Sequence, residues 1–145
     1  MRVAVLNGPN LNLLGEREPS LYGTATLASL EADVRQAAAA LGVDLAWMQT
    51  NHEGEFLEAV QALRDRADGA VVNPAGWTHT SVALRDAFLA ARVPFVEVHL
   101  SNIHAREPFR RQSLLSDLAV GVVSGLGPAG YRWALEGLVA HLRAR

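Results

Sequence analysis

The sequence predicts an α/β fold in which a parallel five-stranded sheet is covered by helices on both faces. Three observations carry this. Short, near-continuous apolar runs alternate along the chain with longer segments of helical period. Strands that read as uninterrupted apolar runs are those buried on both faces, as in parallel sheets. The chain has 145 residues, 50% of them hydrophobic, which suits a single domain with one core.

The elements follow in order. Val3 to Leu6 reads as a buried strand. Thr26 is a helix cap, and Leu27, Leu30, Val34, Ala37 and Leu41 recur at three- and four-residue steps until Gly42 ends the helix. Val43, Leu45 and Trp47 alternate as a second strand, and Phe56, Leu57, Val60 and Leu63 mark a second helix. Ala70 to Val72 is a third strand, stopping at Asn73-Pro74, and Ser81 to Arg92 is a third helix capped by Thr80 or Ser81. Val93 to Val98 and Leu118 to Val123 are the fourth and fifth strands. The last helix opens at Pro128, a favoured first-turn residue. His104 to Leu115 is charged and irregular, a loop with a short helix. At this length the expected arrangement is a flavodoxin-like three-layer sandwich with strand order 2-1-3-4-5. Ligands of such sheets bind beyond the C-terminal strand ends, at the switch point between strands 1 and 3. That places Asn7 to Asn10, Asn73 to Ser81 and His99 to Asn102 around one pocket.

Composition narrows the chemistry. The chain contains no cysteine and no lysine, and all 13 basic residues are arginine. Disulfides, thiolate nucleophiles and lysine imines are excluded. A base must be a carboxylate, a histidine or a tyrosine, and Tyr22, five residues after Arg17 on a glycine-bounded loop, is a candidate. Its alternative is a ring packed over the core edge. The net charge of -2 carries no nucleic-acid footprint. No apolar stretch approaches the roughly 20 residues that span a bilayer. The expectation is a soluble, cytoplasmic protein without nucleic-acid or membrane partners.

Other motifs weigh less. Gly125-Leu-Gly127-Pro-Ala-Gly130 matches a dinucleotide-binding glycine pattern, yet the sequence ends at Arg145 without the second strand and acidic residue that motif needs. Tight turning and close helix–sheet packing explain the glycines better. His79, His99 and His104 lack metal-ligand spacing, and no metal site is expected. His52 and His141 read as surface residues on helix flanks, Asp86 as the salt-bridge partner of Arg85, and Arg106 with Arg110 as a solvated face.

Taken together, four separated blocks carry more than any one of them. These are Asn7-Gly-Pro-Asn-Leu-Asn-Leu-Leu-Gly15 with Arg17-Glu-Pro and Tyr22-Gly; Asn73-Pro-Ala-Gly-Trp-Thr-His-Thr-Ser81 with Ala83-Leu-Arg-Asp86; Glu97-Val-His-Leu-Ser-Asn-Ile-His-Ala-Arg-Glu107 with Phe109-Arg110; and Gly121 through Gly-Leu-Gly to Gly130-Tyr131. In this combination the chain resembles the type II 3-dehydroquinases (3-dehydroquinate dehydratases of the shikimate pathway) over essentially its whole length.

The resemblance implies reversible dehydration of 3-dehydroquinate to 3-dehydroshikimate through an enolate, with no metal or organic cofactor. It also implies a homo-oligomer, a dodecamer built from four trimers. By position, Tyr22 falls on the base, Arg17 on its activator, Asn10 on the enolate-stabilising residue, His99 on the general acid and Glu97 on its orienter. Asn73, His79 and Arg110 fall on substrate contacts, and the backbone amides of Leu100 and Ser101 on a carboxylate cradle. Asp86 falls on a contact from a neighbouring subunit and Arg106 on a lid-stabilising position. The Gly15 to Gly23 segment is expected to be a lid, mobile without ligand. The competing class is a flavodoxin-like domain that binds a small molecule without turning it over. The joint presence of Tyr22, Arg17 and His99 argues against it.

Overall fold

The computed structural model describes residues 1–16, 18–22 and 24–145, with the backbone alone at 21 and 22. Five parallel strands, β1 (Arg2–Asn7), β2 (Asp44–Gln49), β3 (Gly69–Asn73), β4 (Phe95–His99) and β5 (Gly121–Ser124), form one sheet in the order β2-β1-β3-β4-β5. The helices are α1 (Pro19–Tyr22), α2 (Leu27–Ala40), α3 (Glu53–Arg66), α4 (Val82–Ala91) and α5 (Ala129–Arg143). Fold class and strand order are those the sequence predicts.

Strand periodicity sorts the core into two halves. Val3, Val5, Val71, Val96 and Val98 face one way, against Leu30, Val34 and Ala38 of α2 and Tyr131, Ala134, Leu135 and Leu138 of α5. Ala4, Leu6, Ala70, Val72 and Phe95 face the other, against Phe56, Val60 and Leu63 of α3 and Leu84, Ala87 and Phe88 of α4. Successive strand residues point to opposite faces, so helices on both sides turn these strands apolar throughout. The caps are local. Thr26 and Ser29 exchange bonds in a capping box, Ser81 accepts from the Leu84 amide, and Gly42 takes the left-handed φ of 68°.

Several boundaries differ from the sequence reading. β4 starts at Phe95, because Pro94 has no N–H to donate and contributes only its carbonyl, which accepts from the Ala70 amide. β5 starts at Gly121, because the amides of Leu118 and Ala119 both turn back onto the Leu115 carbonyl. Pro128 is the N-cap of α5 and precedes its first turn. The 104–115 loop carries two 3-10 turns, Ile103–Ala105 and Pro108–Arg110, and further ones span Leu11–Leu13 and Ala75–His79. Turns of three to five residues leave no helical period to read.

All strand C-termini lie at one sheet edge, where polar residues replace the apolar run. Asn7 and Asn73 are register partners there, both buried. Both continue the alternation toward α5, which brings them to the hydroxyl of Tyr131. That hydroxyl donates to Asn7 Oδ1 at 2.7 Å and accepts from Asn73 Nδ2 at 2.8 Å. Asn7 Nδ2 donates on to the Met48 carbonyl at 3.0 Å, so one network ties β1, β2, β3 and α5. Gly8 follows at once, and a Cβ there would stand 2.5 Å from the Pro74 carbonyl oxygen. Only glycine lets the two loops approach so closely.

Removing the Tyr131 hydroxyl strands Asn7 Oδ1 and leaves Asn73 Nδ2 short of a partner. Tyr131→Phe is expected to lose about 1–3 kcal/mol of stability, read from the midpoint of a urea titration at unchanged slope.

Candidate active site

A cavity of about 200 Å³ opens at this edge, lined by Asn10, Asn73, His79, His99, Leu100, Ser101, Arg106 and Arg110 together with apolar residues that include Leu11, Leu14 and Ile103. Eight residues singled out in the sequence therefore converge on one hollow. Glu97 stands directly behind His99. Asp86 lies exposed on α4 and is absent from the lining of this chain's cavity. Tyr22 closes α1 by its backbone. Its side chain, Arg17 and Gly23 lie outside the described residues, as do the expected Arg17–Tyr22 contact and part of the lid.

The most constrained part of the site is the pair on β4. Residues i and i+2 of a strand share a face, so Glu97 and His99 both point to the α3/α4 side. His99 Nε2 donates to Glu97 Oε1 at 2.5 Å. The Glu97 carboxylate has no solvent exposure and takes further bonds from Ser113 Oγ, at 2.8 and 3.1 Å, and from Ser116 Oγ at 2.9 Å. Burial pushes the Glu97 carboxyl up, but the bond and charge of His99 together with the two serine hydroxyls outweigh it and hold the group below its ordinary 4.5. With Nε2 committed to Glu97, Nδ1 is the His99 nitrogen left for a ligand.

His79 is fixed the other way round. Its Nδ1 donates to the Gln112 carbonyl at 2.7 Å, leaving Nε2 for the cavity. Burial lowers its pKa from 6.5, and the charges of His99 and Arg110 lower it further against the raising effects of Gln112 and Glu97. His79 is therefore a neutral ring presenting an acceptor at neutral pH. Asn73 is more tied down than a ligand contact needs. Its Oδ1 accepts from the Ala75 amide at 3.1 Å and its Nδ2 donates to Tyr131, so one N–H remains for a ligand.

Asn10 sits at φ 67°, a left-handed conformation that asparagine tolerates. Its amide donates to Asn51 Oδ1 at 2.8 Å, and Gln49 Nε2 reaches both Asn51 Oδ1 and the Gly8 carbonyl at 3.1 Å. The loops after β1 and β2 thus hold each other at the cavity mouth. After β4, the Gly125 and Gly127 amides donate to the carbonyls of His99 and Leu100, whereas the Leu100 and Ser101 amides have no acceptor among the described residues. The glycine pattern is thereby accounted for. Gly125 is pressed against Asn102 at φ 88°, and a Cβ on Gly130 would stand 3.3 Å from Val123, between α5 and the sheet.

The two cavity arginines are not a solvated face. Arg106, with a side chain 14% exposed, lies 4.0 Å from Glu18 and 3.9 Å from Glu107. Arg110 Nε is 2.9 Å from Glu107 Oε2, an ion pair set off the N–H direction. The cavity wall beneath one carboxylate cluster thus carries two cations for an anionic ligand.

Arg85 pairs bidentately with Asp117, at 2.5 and 2.9 Å, instead of with Asp86, because its side chain reaches the 114–117 loop. His141 is not a plain surface residue, since its Nε2 is buried. His104 is exposed and stands apart from the cavity. Among the described residues no cluster of three His, Cys, Asp or Glu is placed to hold a metal ion, and no helix is long and apolar enough to cross a membrane. Ser113 and Ser116 escaped the sequence reading, because serines in a charged loop carry no periodic signal. Tyr131 was quoted only as part of a glycine block. It is the second of two tyrosines, and burial holds its phenol well above the ordinary 10, against the lowering effect of the Asn73 bond. Such a group stays protonated and serves structure.

The family model "Dehydroquinase class II" matches residues 1–139. A curated 3-dehydroquinate dehydratase of Gemmatimonas aurantiaca is 54% identical over 145 residues, covering 100% of this chain and 95% of its own. The catabolic 3-dehydroquinase 1 of Neosartorya fischeri is 50% identical, covering 99% of this chain and 95% of its own. The crystal structure of the type II dehydroquinase from Propionibacterium acnes superposes with a TM-score of 0.90 at 43% identity, covering 96% of each chain.

The lowered Glu97 carboxyl has a consequence for stability. A group whose pKa falls on folding stabilises the native state above its unfolded value, and that contribution is lost as pH falls through the folded value. Glu97→Gln is expected to be about 1–3 kcal/mol less stable than the wild type at neutral pH. The gap should narrow below the ordinary carboxylate value of 4.5, checked by denaturant titrations across the acid range.

Proposed function

Because the chain belongs to the class II dehydroquinase family, we propose that it is a hydro-lyase of the shikimate pathway that interconverts 3-dehydroquinate and 3-dehydroshikimate. The observation that carries this reading is the buried Glu97–His99 pair facing a cavity with two arginines and two backbone amides that have no acceptor among the described residues. It offers an acid, a carboxylate cradle and a neutral hydrogen-bonding wall together.

The reaction removes a C2 proton beside a ketone and expels the C1 hydroxyl, by anti elimination. Tyr22 takes the proton. A free tyrosine has a pKa of about 10, so poising it at neutrality needs a shift of about 3 units, roughly 4 kcal/mol of preference for the anion. Burial opposes that shift, so a fixed cation is required. Arg17 supplies it, since guanidinium stays charged in any environment. Charge then spreads to the carbonyl oxygen as an enolate, held by Asn10 through a bound water. Donors preorganised at such an oxygen are usually the largest catalytic contribution.

Hydroxide leaves poorly, so His99 protonates it from Nδ1 while Glu97 holds Nε2. The Leu100 and Ser101 amides and Arg110 bind the carboxylate, and the remaining N–H of Asn73 and Nε2 of His79 bind hydroxyls. Arg106 anchors the expected lid through Glu18. Asp86, exposed in this chain, reaches the cavity of an adjacent subunit within a homododecamer, a tetramer of trimers. The reading makes the protein cytoplasmic and needs no cofactor.

Purified protein should raise the ultraviolet absorbance of a 3-dehydroquinate solution as the conjugated enone forms, without added metal or nucleotide. No rise at high enzyme concentration rejects the activity. Tyr22→Phe should lower kcat by at least about 100-fold while product-like ligands still bind. Near-normal turnover assigns the base elsewhere.

A further inference from the structure

We infer that Ser113 and Ser116 are positioning residues that keep Glu97 an anion and thereby set how tightly His99 holds the proton it delivers. The inference rests on the dehydratase reading for its kinetic part and on geometry for the rest.

Both hydroxyls are aimed. Ser113 Oγ accepts from the amides of Leu115 at 3.0 Å and Ser116 at 3.1 Å, so its acceptor capacity is used and its proton is directed to Glu97. Ser116 Oγ donates to Glu97 Oε2 at 2.9 Å. The loop that carries them is anchored by Leu115, fully buried against the α3/α4 core. Three donors thus converge on a carboxylate without solvent, two from serines and one from His99.

The serines act on His99 through the carboxylate. When His99 gives up its Nδ1 proton, Glu97 loses the opposing positive charge and is left as a buried anion held by the two hydroxyls and the neutral ring's Nε2–H. Remove one hydroxyl and that state becomes less favourable. The pair then holds its proton more tightly, and His99 becomes a weaker acid. The other charged groups facing this pair are His79 from the Ala75–His79 turn and Arg110 and Arg106 from across the cavity. Asp117, next to Ser116, is engaged by Arg85. None of these donates to Glu97 in place of a serine.

Ser116→Ala is the cleaner variant, because Ser113 also holds the turn. Its His99 ring, followed by NMR in the intact protein, should titrate at higher pH than in the wild type, by up to about one pH unit, because a carboxylate that lacks one donor leans more on the ring's positive charge. The alkaline limb of kcat should move up with it, and kcat near neutrality should fall roughly three- to tenfold with KM little changed. Ser116→Thr, which keeps the hydroxyl, should restore the wild-type titration. A folded Ser116→Ala protein whose His99 titrates as in the wild type overturns the inference, even if it melts earlier. So does a Thr variant shifted as far as Ala. Ser113→Ala supplies the same titration should Ser116→Ala fail to fold. The NMR titration needs no turnover, so a wild type inactive on 3-dehydroquinate rejects the dehydratase reading and leaves the serines to be judged on the titration.

Discussion

The site depends on one buried charge. Glu97 lies in the middle of the sheet without solvent contact, where an unpaired carboxylate costs several kcal/mol and neutralises instead. It stays ionised because His99, Ser113 and Ser116 converge on it. Each partner comes from a different demand of the fold. Strand periodicity supplies His99, two residues along the same face. The 111–119 loop supplies the serines, and that loop is set by Leu115 in the core and by the Ser113 turn bonds. Satisfying the carboxylate therefore fixes the tautomer of the acid and the path of the loop together.

A second constraint aligns the remaining groups. In a parallel sheet all C-terminal strand ends share one edge, and the polar residues that replace the apolar run there need partners. Asn7, Asn73 and Tyr131 satisfy one another, which leaves one Asn73 N–H directed to the ligand. Glycines admit the close contacts that seal the edge, Gly8 against Pro74 and Gly125 against Asn102. The second seal holds the loop after β4, where the Leu100 and Ser101 amides have no acceptor among the described residues. Free amides next to arginines are a natural carboxylate site.

Much of this was legible in the sequence. The strand order and the convergence of Asn10, Asn73 and His99 follow from apolar periodicity and from the rule that ligands bind at strand C-termini. Glu97 and His99 share a face by the two-residue repeat alone. The serines were not legible, because their role depends on a loop fold without periodicity, and a hydroxyl acquires direction only when its neighbours are placed. The same holds for Arg85, whose partner Asp117 is 32 positions away along the chain. The shift of β5 to Gly121 arises from backbone amides claimed by a turn, a competition invisible to hydropathy, and that of β4 to Phe95 from the missing N–H of Pro94.

The site turns on a division of labour on one imidazole, with Nε2 held by an anionic Glu97 and Nδ1 free to carry the proton. Nitrogen-15 chemical shifts of the His99 ring across the neutral range test it most directly. Nε2 is expected to stay protonated throughout, with Nδ1 alone gaining and losing a proton. A neutral ring carrying its proton on Nδ1, with Nε2 bare against a protonated Glu97, would contradict it.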